Sequence, residues 1–593
     1  MGYVNAGRTP HPSLFLRHSG KLAGVTYVFA NLGSDHAPLL EAMLKGQKER
    51  PKEFPTFVTC PTEMVAMSMA DGFSRLTGRA QAVVVHVDVG TQALGPAMHN
   101  ASCGRAPVLV FAGLSPYTLE GEMLGSRNEF QHWLQDIPNQ RQIVSQYCRY
   151  TAEIKSGKNI KQMVNRALQF ANSNPQGPAY LCAAREVMEE ELQPYSPFPM
   201  HPVHSAALPE SGVDKISTDL VEALEPLVVV GRIGRSAVAT EALIALADLI
   251  GRMRVLDAGG SDMCFPISHP AALGTKYGAH QAIETSDVIL VIDCDVPWIP
   301  TRCKPSDSAK IYHIDVDPLK QNMSLFYINS TATYEAESTT ALKQLVNFIS
   351  SSERLGDILS SPDSITARTS RCTAHREWRT SIESFAAYSR KDDASISAQY
   401  LASHLRKYCP PDTIWVVEAV TLTETIAEGI SATLPHTWIN CGASGLGWSG
   451  GAALGVKLAS KHLGQHDKFI CHIVGDGGYM FSIPSSVYWI SVRYKLPILT
   501  IVLNNRGWVA PGRSLMMYHP DGEGSNASLE DLATSFSPSP DYSGIAKCAA
   551  GGNLWANRAS TVHELLDLLP AAIESVIQGT GAVLEAELDG STT

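Results

Sequence analysis

Short runs rich in apolar and β-branched residues alternate along the chain with longer segments whose apolar residues recur at helical spacing. In the first part of the chain the strand-like runs are residues 25–30, 56–59, 81–87 and 108–112, and the helix-like segments are 37–45 and 63–76. Strands that alternate with helices pair in parallel and are covered by helices on both faces. The pattern therefore predicts a doubly wound α/β unit.

The same alternation returns twice. Further strand-like runs lie at residues 226–230, 254–256, 288–292 and 311–314, and then at 413–417, 469–474 and 498–503. A Pro-rich segment, 191–204, and a polar, Ser-rich segment, 351–379, separate these groups and are typical of linkers. We predict three doubly wound parallel-sheet domains, which span residues 1–190, 205–350 and 380–593, and the first and third are candidates for a shared fold.

Composition narrows the class of protein. The chain has 593 residues, a net charge of −11 and no basic tract, so nucleic acid is not expected as a partner. Residues 1–21 lack the apolar core of a secretory signal, and no later stretch is apolar enough to span a membrane. The 12 cysteines form no C-x-x-C pair, which favours reduced thiols over a zinc or disulfide framework. We expect a cytoplasmic protein.

Two polar motifs follow neighbouring strands of the third unit. Gly475-Asp476-Gly477-Gly478 follows the run 469–474, and Asn504-Asn505 ends the run 498–503. Glycines let backbone N–H groups approach a phosphate, and strand ends of parallel sheets are where ligands bind. The oxygens of Asp476 and Asn505, with the carbonyl of Gly507 as a third ligand, suit Mg²⁺. The alternative is two ordinary turns between strand and helix.

Together these motifs resemble the cofactor motif of thiamine-diphosphate enzymes, the family of acetolactate synthase, benzoylformate decarboxylase and pyruvate decarboxylase. The spacing from Asp476 to Asn505 is about two residues longer than in the best-known members. The resemblance implies thiamine diphosphate bound with Mg²⁺. It assigns cofactor binding to the glycine motif and to Asn505, and the metal to Asp476, Asn505 and Gly507.

A second resemblance lies far away in the N-terminal unit. Such an enzyme needs a carboxyl group beside the aminopyrimidine of the cofactor, which acts as the base. The segment 61–78 resembles the one that carries this group, and Glu63 is the matching residue. The alternative is a glutamate that only favours a helix N-terminus.

The resemblance covers nearly the whole chain. Gly445-Leu446-Gly447 resembles the stretch with the bulky residue that bends the cofactor, and Leu446 is that residue unless it is plain core. Glu418 and Thr421 match a strand-end loop near the diphosphate and pyrimidine. Trp508 either lines the substrate pocket or only packs, and the polar stretch that follows it is a candidate lid.

Residues on the substrate side separate the branches of the family. Ser34 and His86 fall where benzoylformate decarboxylase has an active-site Ser and His, although Ser34 also suits a helix N-cap and His86 a buried core position. The chain lacks the His pair of pyruvate decarboxylase and has Leu114 where acetolactate synthase has Gln.

Residues 229–235 of the middle unit lack G-x-G-x-x-G. FAD binding by this unit stays open, but the missing motif favours a remnant that binds no cofactor.

The resemblance implies a decarboxylase, a carboligase or both, acting on a 2-oxo acid through an enamine intermediate. The alternatives are an acetolactate synthase-type transferase, a catalytically silent paralogue that binds the cofactor, and a nicotinamide dehydrogenase, which the missing glycine motif opposes. In this family the cofactor lies between two subunits, so Glu63 and Asp476 would meet in a homodimer or homotetramer. The sequence does not specify the side chain of the substrate.

Overall fold

The computed structural model describes residues 9–10, 24–193, 195, 201–386 and 394–589. It contains three six-stranded sheets in which all strand pairings are parallel, and this confirms the predicted fold class. The strands of the N-terminal unit are β1 (Tyr27–Ala30), β2 (Thr56–Thr59), β3 (Gln81–Val85), β4 (Val108–Leu114), β5 (Tyr150–Glu153) and β6 (Pro178–Ala184). Those of the middle unit are β7 (Pro226–Val230), β8 (Arg254–Asp257), β9 (Ala272–Thr275), β10 (Val288–Ile292), β11 (Lys310–Asp315) and β12 (Ala332–Glu335). Those of the C-terminal unit are β13 (Ile414–Glu418), β14 (Trp438–Asn440), β15 (Ile470–Gly475), β16 (Leu499–Asn504), β17 (Trp555–Ala559) and β18 (Ala582–Glu587).

Helices cover both faces of the sheets. Those of the N-terminal unit are α1 (Ala37–Glu49), α2 (Glu63–Thr77), α3 (Val89–Ala93), α4 (Gly95–Cys103), α5 (Gln131–Leu134), α6 (Ile160–Asn172) and α7 (Arg185–Met188). Those of the middle unit and of the segment after its last strand are α8 (Glu210–Glu222), α9 (Ala237–Ile250), α10 (Gln281–Thr285), α11 (Ser338–Ser351), α12 (Glu353–Leu359) and α13 (Pro362–Ala386). Those of the C-terminal unit are α14 (Ala398–Tyr408), α15 (Thr423–Ile430), α16 (Trp448–His462), α17 (Asp476–Phe481), α18 (Pro484–Arg493), α19 (Val509–Tyr518), α20 (Tyr542–Ala549) and α21 (Val562–Ile577).

The first and third sheets share one strand order. The N-terminal order is β2-β1-β3-β4-β6-β5, and the C-terminal order is β14-β13-β15-β16-β18-β17. The middle sheet has the order β9-β8-β7-β10-β11-β12, which is that of dinucleotide-binding folds. The shared fold expected for the first and third units is therefore present.

The two predicted linkers contain regular secondary structure. Residues 351–379 are not irregular chain but lie mostly in α12 and α13, since Ser352 caps α12 by accepting a hydrogen bond from the N–H of Leu355. Within 191–204, Glu191–Leu192 pairs with Thr9–Pro10 as a short antiparallel ladder. Residues 194 and 196–200 of that linker lie outside the described part of the chain.

Helices α2 and α16 join the N-terminal and C-terminal units by close backbone contact. A Cβ atom on Gly455 would lie 2.1 Å from the carbonyl oxygen of Met69, and one on Gly72 would lie 2.3 Å from that of Ala452. Beside this contact the indole N–H of Trp448 donates to Asp71 at 2.9 Å. The packing fixes the N-terminus of α2 relative to the C-terminal sheet. In the described residues no helix is both long and apolar enough to cross a membrane.

Candidate active site

A cleft with a volume of about 290 Å³ lies at the carboxyl edge of the C-terminal sheet. Strands β13 and β15 are neighbours there, but their following connections run to opposite sides, which makes this the switch point where α/β sheets bind ligands. The cleft is lined by residues that follow β13, β15 and β16 together with Leu446 and the start of α19. The predicted residues in its wall are Glu418, Thr421, Leu446, Gly475, Asp476, Gly477, Gly478, Asn505, Gly507 and Trp508.

Three polar groups converge in this cleft. One end of the side-chain amide of Asn505 lies 3.2 and 3.3 Å from the carboxylate oxygens of Asp476 and 2.9 Å from the carbonyl oxygen of Gly507. With nitrogen at this end the amide donates to all three oxygens, and with oxygen there the site consists of oxygens alone. Octahedral Mg²⁺, with ligands at about 2.1 Å, places neighbouring ligand oxygens about 3.0 Å apart. The donor set and its spacing therefore fit such a cation.

The backbone around this point is strongly constrained. Gly507 has φ +148°, and a Cβ atom there would lie 2.2 Å from the carbonyl oxygen of Thr534, so only glycine fits. The N–H of Gly507 donates to Asp476 at 2.9 Å, and the N–H of Gly477 donates to it at 2.7 Å. Burial raises the pKa of Asp476 to about 6 despite these donors. A cation between the oxygens would favour the charged carboxylate.

The side chains of Asn504 and Asn505 have different surroundings. Asn504 ends β16 with its side chain buried, where its amide donates to Glu585 at 2.8 Å. Asn505 follows on the opposite side of the strand and faces the cleft. Asn504 therefore bonds within the unit, and Asn505 is the member of the pair that faces the cleft.

The loop with Leu446 is held at both ends. Asn100 of α4 accepts a hydrogen bond from the N–H of Gly445 at 3.0 Å and donates one to its carbonyl at 2.6 Å. The carboxylate of Glu418 accepts hydrogen bonds from the N–H groups of Gly447 and Ser449 at 2.7 and 2.8 Å. Burial raises the pKa of Glu418 to about 7, against the opposing effect of these donors. Glu418 therefore reaches the cleft wall, but its oxygens bind backbone and position Leu446 between two anchors.

Trp508 covers the glycine motif. A Cβ atom on Gly477 would lie 2.5 Å from the indole nitrogen of Trp508, so a side chain at this position would require the indole to shift. The indole packs edge-on against Phe536 with ring centroids 5.0 Å apart, yet it is 40% exposed and lines the cleft. The indole of Trp508 therefore both packs against Phe536 and lines the cleft.

The stretch predicted as a polar lid begins with a helix. No residue of α19 is buried. The guanidinium of Arg513 donates to the carbonyl of Thr421 at 3.3 Å and so links α19 to the far wall of the cleft. Closure of this stretch remains a prediction.

The second group of predicted residues lies at the carboxyl edge of the N-terminal sheet. Glu63 is the first residue of α2 and is half-buried, and burial raises its pKa against the opposing effects of its own backbone N–H, Asn31 and His86. A Cβ atom on Gly90 would lie 3.3 Å from Cβ of His86 and 3.4 Å from Oε1 of Glu63. The structure therefore brings Glu63 and His86 together. None of the described residues of the N-terminal unit lines the cleft of the C-terminal unit.

Ser34 and His86 have partners that sequence reasoning missed. The hydroxyl of Ser34 donates to Glu129 at 2.8 Å, and Ser34 is not a helix N-cap, because Gly33 caps the 3₁₀ turn that Ser34 begins and His36 caps α1. The imidazole of His86 is partly exposed, so it is not a core residue, and its Nδ1 lies 2.5 Å from Asp35. Glu129 and Gln135 lie on either side of the short helix α5, in a stretch without a periodic sequence pattern. Only its position next to Ser34 could have identified Asp35 from the sequence.

The carboxyl edge of the middle sheet is closed. Arg105 of the N-terminal unit enters it and pairs with Asp315 at 3.0 Å, and Lys320 pairs with Asp295 at 2.8 Å. The loops after β7 and β8 touch, since a Cβ atom on Gly259 would lie 2.6 Å from the Cα of Gly231. These residues do not fit a flavin or nicotinamide dinucleotide at the position where such folds bind one.

Comparisons with known proteins agree with this geometry. Three family profiles match the chain: the N-terminal binding domain of thiamine pyrophosphate (diphosphate) enzymes at residues 21–143, their central domain at 213–325 and their C-terminal binding domain at 420–584. The chain is 24% identical over 562 residues to the acetolactate synthase isozyme 3 large subunit of Escherichia coli, which covers 89% of this chain and 87% of that protein. It is 23% identical over 503 residues to the benzoylformate decarboxylase of Pseudomonas aeruginosa, with 81% and 83% covered.

Solved structures share the fold. Benzoylformate decarboxylase from Polynucleobacter necessarius superimposes with a TM-score of 0.78 at 17% identity, over 98% of this chain and 99% of that one. The 4-hydroxybenzoylformate decarboxylase of Rhodococcus jostii RHA1 gives 0.76 at 20% identity, over 98% and 100%. The cofactor motif, the three sheets and the three profile matches lead to one conclusion: the chain belongs to the thiamine pyrophosphate enzyme family.

Proposed function

We propose that this protein is a thiamine-diphosphate-dependent decarboxylase, carboligase or both, acting on a 2-oxo acid. The observation that carries the proposal is the convergence of Asp476, Asn505 and Gly507 in the cleft at the switch point of the C-terminal sheet. The reaction class is supported by relatives named benzoylformate decarboxylase and acetolactate synthase.

Mg²⁺ and the diphosphate would occupy this cleft. Asp476, Asn505 and Gly507 would hold the cation, and the diphosphate would lie beside Gly477 and Gly478. When bound, thiamine diphosphate supplies a nucleophilic carbon and an electron sink for the loss of CO₂. Leu446, anchored through Asn100 and Glu418, would fix the angle between the two rings of the cofactor.

The N-terminal residues would handle protons. The raised pKa of the half-buried Glu63 favours a carboxyl group that can exchange a proton with the aminopyrimidine. Ser34 and His86 would bind the carboxylate of the substrate and move a proton to the product. Trp508 would form the wall next to the substrate side chain.

A second copy of the chain would complete the site. Among the residues that the structure describes, those that line the cleft all belong to the C-terminal unit, while Glu63 and His86 lie on the N-terminal unit. Large apolar side chains stand exposed near both edges, with Phe130 76% exposed beside the Ser34 side and Tyr518 73% exposed at the end of α19. Exposed apolar surface of this kind marks association sites, and a two-fold dimer would place each edge against the other. We therefore propose a homodimer or a homotetramer built from it.

A cytoplasmic location completes the proposal. All twelve cysteines are free, and seven of them are buried. Free thiols in this number suit a reducing compartment.

Assay with a donor panel tests the reaction. The protein is saturated with Mg²⁺ and thiamine diphosphate and offered pyruvate, branched aliphatic and aromatic 2-oxo acids, and CO₂, aldehydes and ligated products are measured. We expect CO₂ from at least one donor. Acetolactate from pyruvate would favour the synthase-type alternative, which the Escherichia coli relative supports. Tight cofactor binding without product from any donor would replace the proposal by a silent, cofactor-binding paralogue.

A further inference from the structure

Asp35 and His86 form a tightly built pair at the carboxyl edge of the N-terminal sheet. Oδ1 of Asp35 lies 2.5 Å from Nδ1 of His86, and its Oδ2 accepts a hydrogen bond from the N–H of Val87 at 3.2 Å. Asp35 is only 1% exposed, whereas the side chain of His86 keeps 22% of its surface open. The pair thus consists of a buried carboxylate and an imidazole that reaches solvent.

The surrounding chain fixes the ring. The imidazole lies directly on Gly33, where a Cβ atom would come within 2.0 Å of Nδ1. A Cβ atom on Gly113 would lie 1.7 Å from Oδ2 of Asp35, so the carboxylate is enclosed as well. On the other side of the ring, Nε2 of His86 lies 3.4 Å from the amide nitrogen of Gln135. The carboxylate of Asp35 therefore bonds Nδ1, while Nε2 lies on the opposite side of the ring, next to Gln135.

The charges around the pair favour a protonated ring. The hydrogen bond to Asp35 is the main cause that raises the pKa of His86, and the charges of Asp35, Glu129 and Glu63 add to it against the effect of burial. Burial raises the pKa of Asp35, but His36 and His86 outweigh burial and lower it overall. His36 is itself fully buried, which lowers its pKa, and its Nδ1 accepts a hydrogen bond from the N–H of Gly33 at 3.1 Å. The surroundings of His86 therefore stabilise its protonated form next to the buried carboxylate.

We propose that Asp35 is a positioning residue that keeps a proton on Nδ1 of His86 and so assigns proton exchange with the substrate to Nε2. A carboxylate accepts only from N–H, so the neutral ring paired with it has its basic nitrogen at Nε2. Without Asp35 the ring is free to take the other tautomer or to rotate. The inference rests on the proposed function for its chemistry, but the geometry of the pair stands apart from it.

A titration of the imidazole tests the pair without any turnover. Protein with ¹³C at the Cε1 position of histidine is followed by NMR against pH, and the signal of His86 is assigned by its loss in His86→Gln. We expect a midpoint above about 6.5, the value for a free histidine, and a fall of about one pH unit or more in Asp35→Asn. Glu129→Gln is the matched control, since Glu129 acts on His86 only through space, and a smaller shift is expected.

Kinetics on the best donor then test the role. Asp35→Asn should lower kcat by about tenfold to a hundredfold with a small change in KM, and the limb of the pH profile due to His86 should move to lower pH. In the background of His86→Gln the same substitution should cost little more, because the two residues act as one unit.

The outcomes separate the two claims. A wild-type midpoint at or below about 6.5, or an unchanged midpoint in Asp35→Asn, overturns the inference, and the wild-type value decides even when the variant does not fold. Independent, multiplicative losses in the double variant also overturn it. Absence of turnover in the wild type defeats the proposed function alone, since the titration does not depend on it.

Discussion

Replacing Glu63 by Gln removes a titratable proton and leaves the volume of the side chain nearly unchanged. If Glu63 acts on the aminopyrimidine, Glu63→Gln should bind thiamine diphosphate with Mg²⁺ and lose on the order of a hundredfold or more in kcat. Calorimetric titration of the cofactor and steady-state assay measure the two effects. Glu41→Gln, on the exposed side of α1, is the control and should keep full activity. Retained turnover in Glu63→Gln would refute the assignment.

The oxygens in the cleft lead to a second prediction at this scale. Asn505→Ala removes one of three converging groups, so the Mg²⁺ concentration for half-maximal cofactor binding should rise by about tenfold or more. Chelation of Mg²⁺ in the wild type should release the cofactor, and added Mg²⁺ should restore it. Asn526→Ala removes an exposed amide of the same unit and is expected to leave the requirement unchanged. Equal Mg²⁺ requirements in wild type and Asn505→Ala would contradict the site.

Residue positions could be predicted where a motif ends a strand. Asp476 and Asn505 follow adjacent parallel strands, so their convergence follows from the strand pattern. The partners of His86 could not be predicted in this way, because Asp35 lies 51 residues away and Gln135 lies 49 residues away in an irregular loop. The backbone bonds of Glu418 were also beyond the sequence, since they depend on where the loop after β14 returns.

At the level of elements, the crossing of α2 and α16 tolerates no added volume. Gly455→Ala places a methyl group 2.1 Å from a backbone oxygen, so we expect a loss of about 1–3 kcal/mol, seen as a lower midpoint in urea or thermal unfolding. Gly356→Ala, within α12 and without neighbours in reach of the new methyl group, should be neutral or slightly stabilising. Equal midpoints for the two variants would show that the helices separate easily.

A buried histidine on β15 bonds both helix α16 and the neighbouring strand β16. His472 bonds Ser449 of α16 at 2.9 Å and Thr500 of β16 at 3.2 Å, and burial lowers its pKa to about 3. Below about pH 6.5 this histidine is protonated in the unfolded chain but stays neutral in the folded chain. Each unit by which the pH is lowered therefore reduces the free energy of unfolding by about 1.4 kcal/mol, until about pH 3. Unfolding midpoints between pH 6.5 and 4.5 should therefore fall less steeply in His472→Gln. His563→Gln on α21 controls for loss of a histidine in general, and an unchanged slope in His472→Gln would argue against the buried neutral ring.

Eleven of the eighteen strands described in the three sheets match a predicted run to within two residues, because buried strands are short apolar runs between turns. The other seven, which include the buried strands β6 and β18, have no matching run in the prediction. The strand Pro226–Val230 begins and ends where its apolar run does. The segment 351–379 could not be predicted from composition, since its serines indicate a linker but act as helix caps, as Ser352 does for α12. Which edge strand pairs with which was likewise settled only by the fold.

For the whole molecule, the proposed sharing of sites between subunits predicts complementation. Glu63→Gln and Asp476→Ala should each be inactive alone, yet one hybrid site in a mixed dimer would keep both native residues. When equal amounts of the two variants assemble at random, half of the dimers are hybrids. Each hybrid has one intact site out of two, so about a quarter of wild-type activity should return. Co-expression with two affinity tags isolates the hybrids. Activity that stays at the level of the single variants would place the whole site within one chain.

The identical strand orders of the first and third sheets have a consequence for how this chain has changed over time. Two of the three units share one strand order, and they carry different candidate site residues, with Glu63 on one and Asp476 and Asn505 on the other. Duplication followed by divergence would produce such a pair. Each unit is then free to lose site residues that the other unit retains. A substitution that has no effect on activity in one unit can therefore abolish activity at the equivalent position of the other.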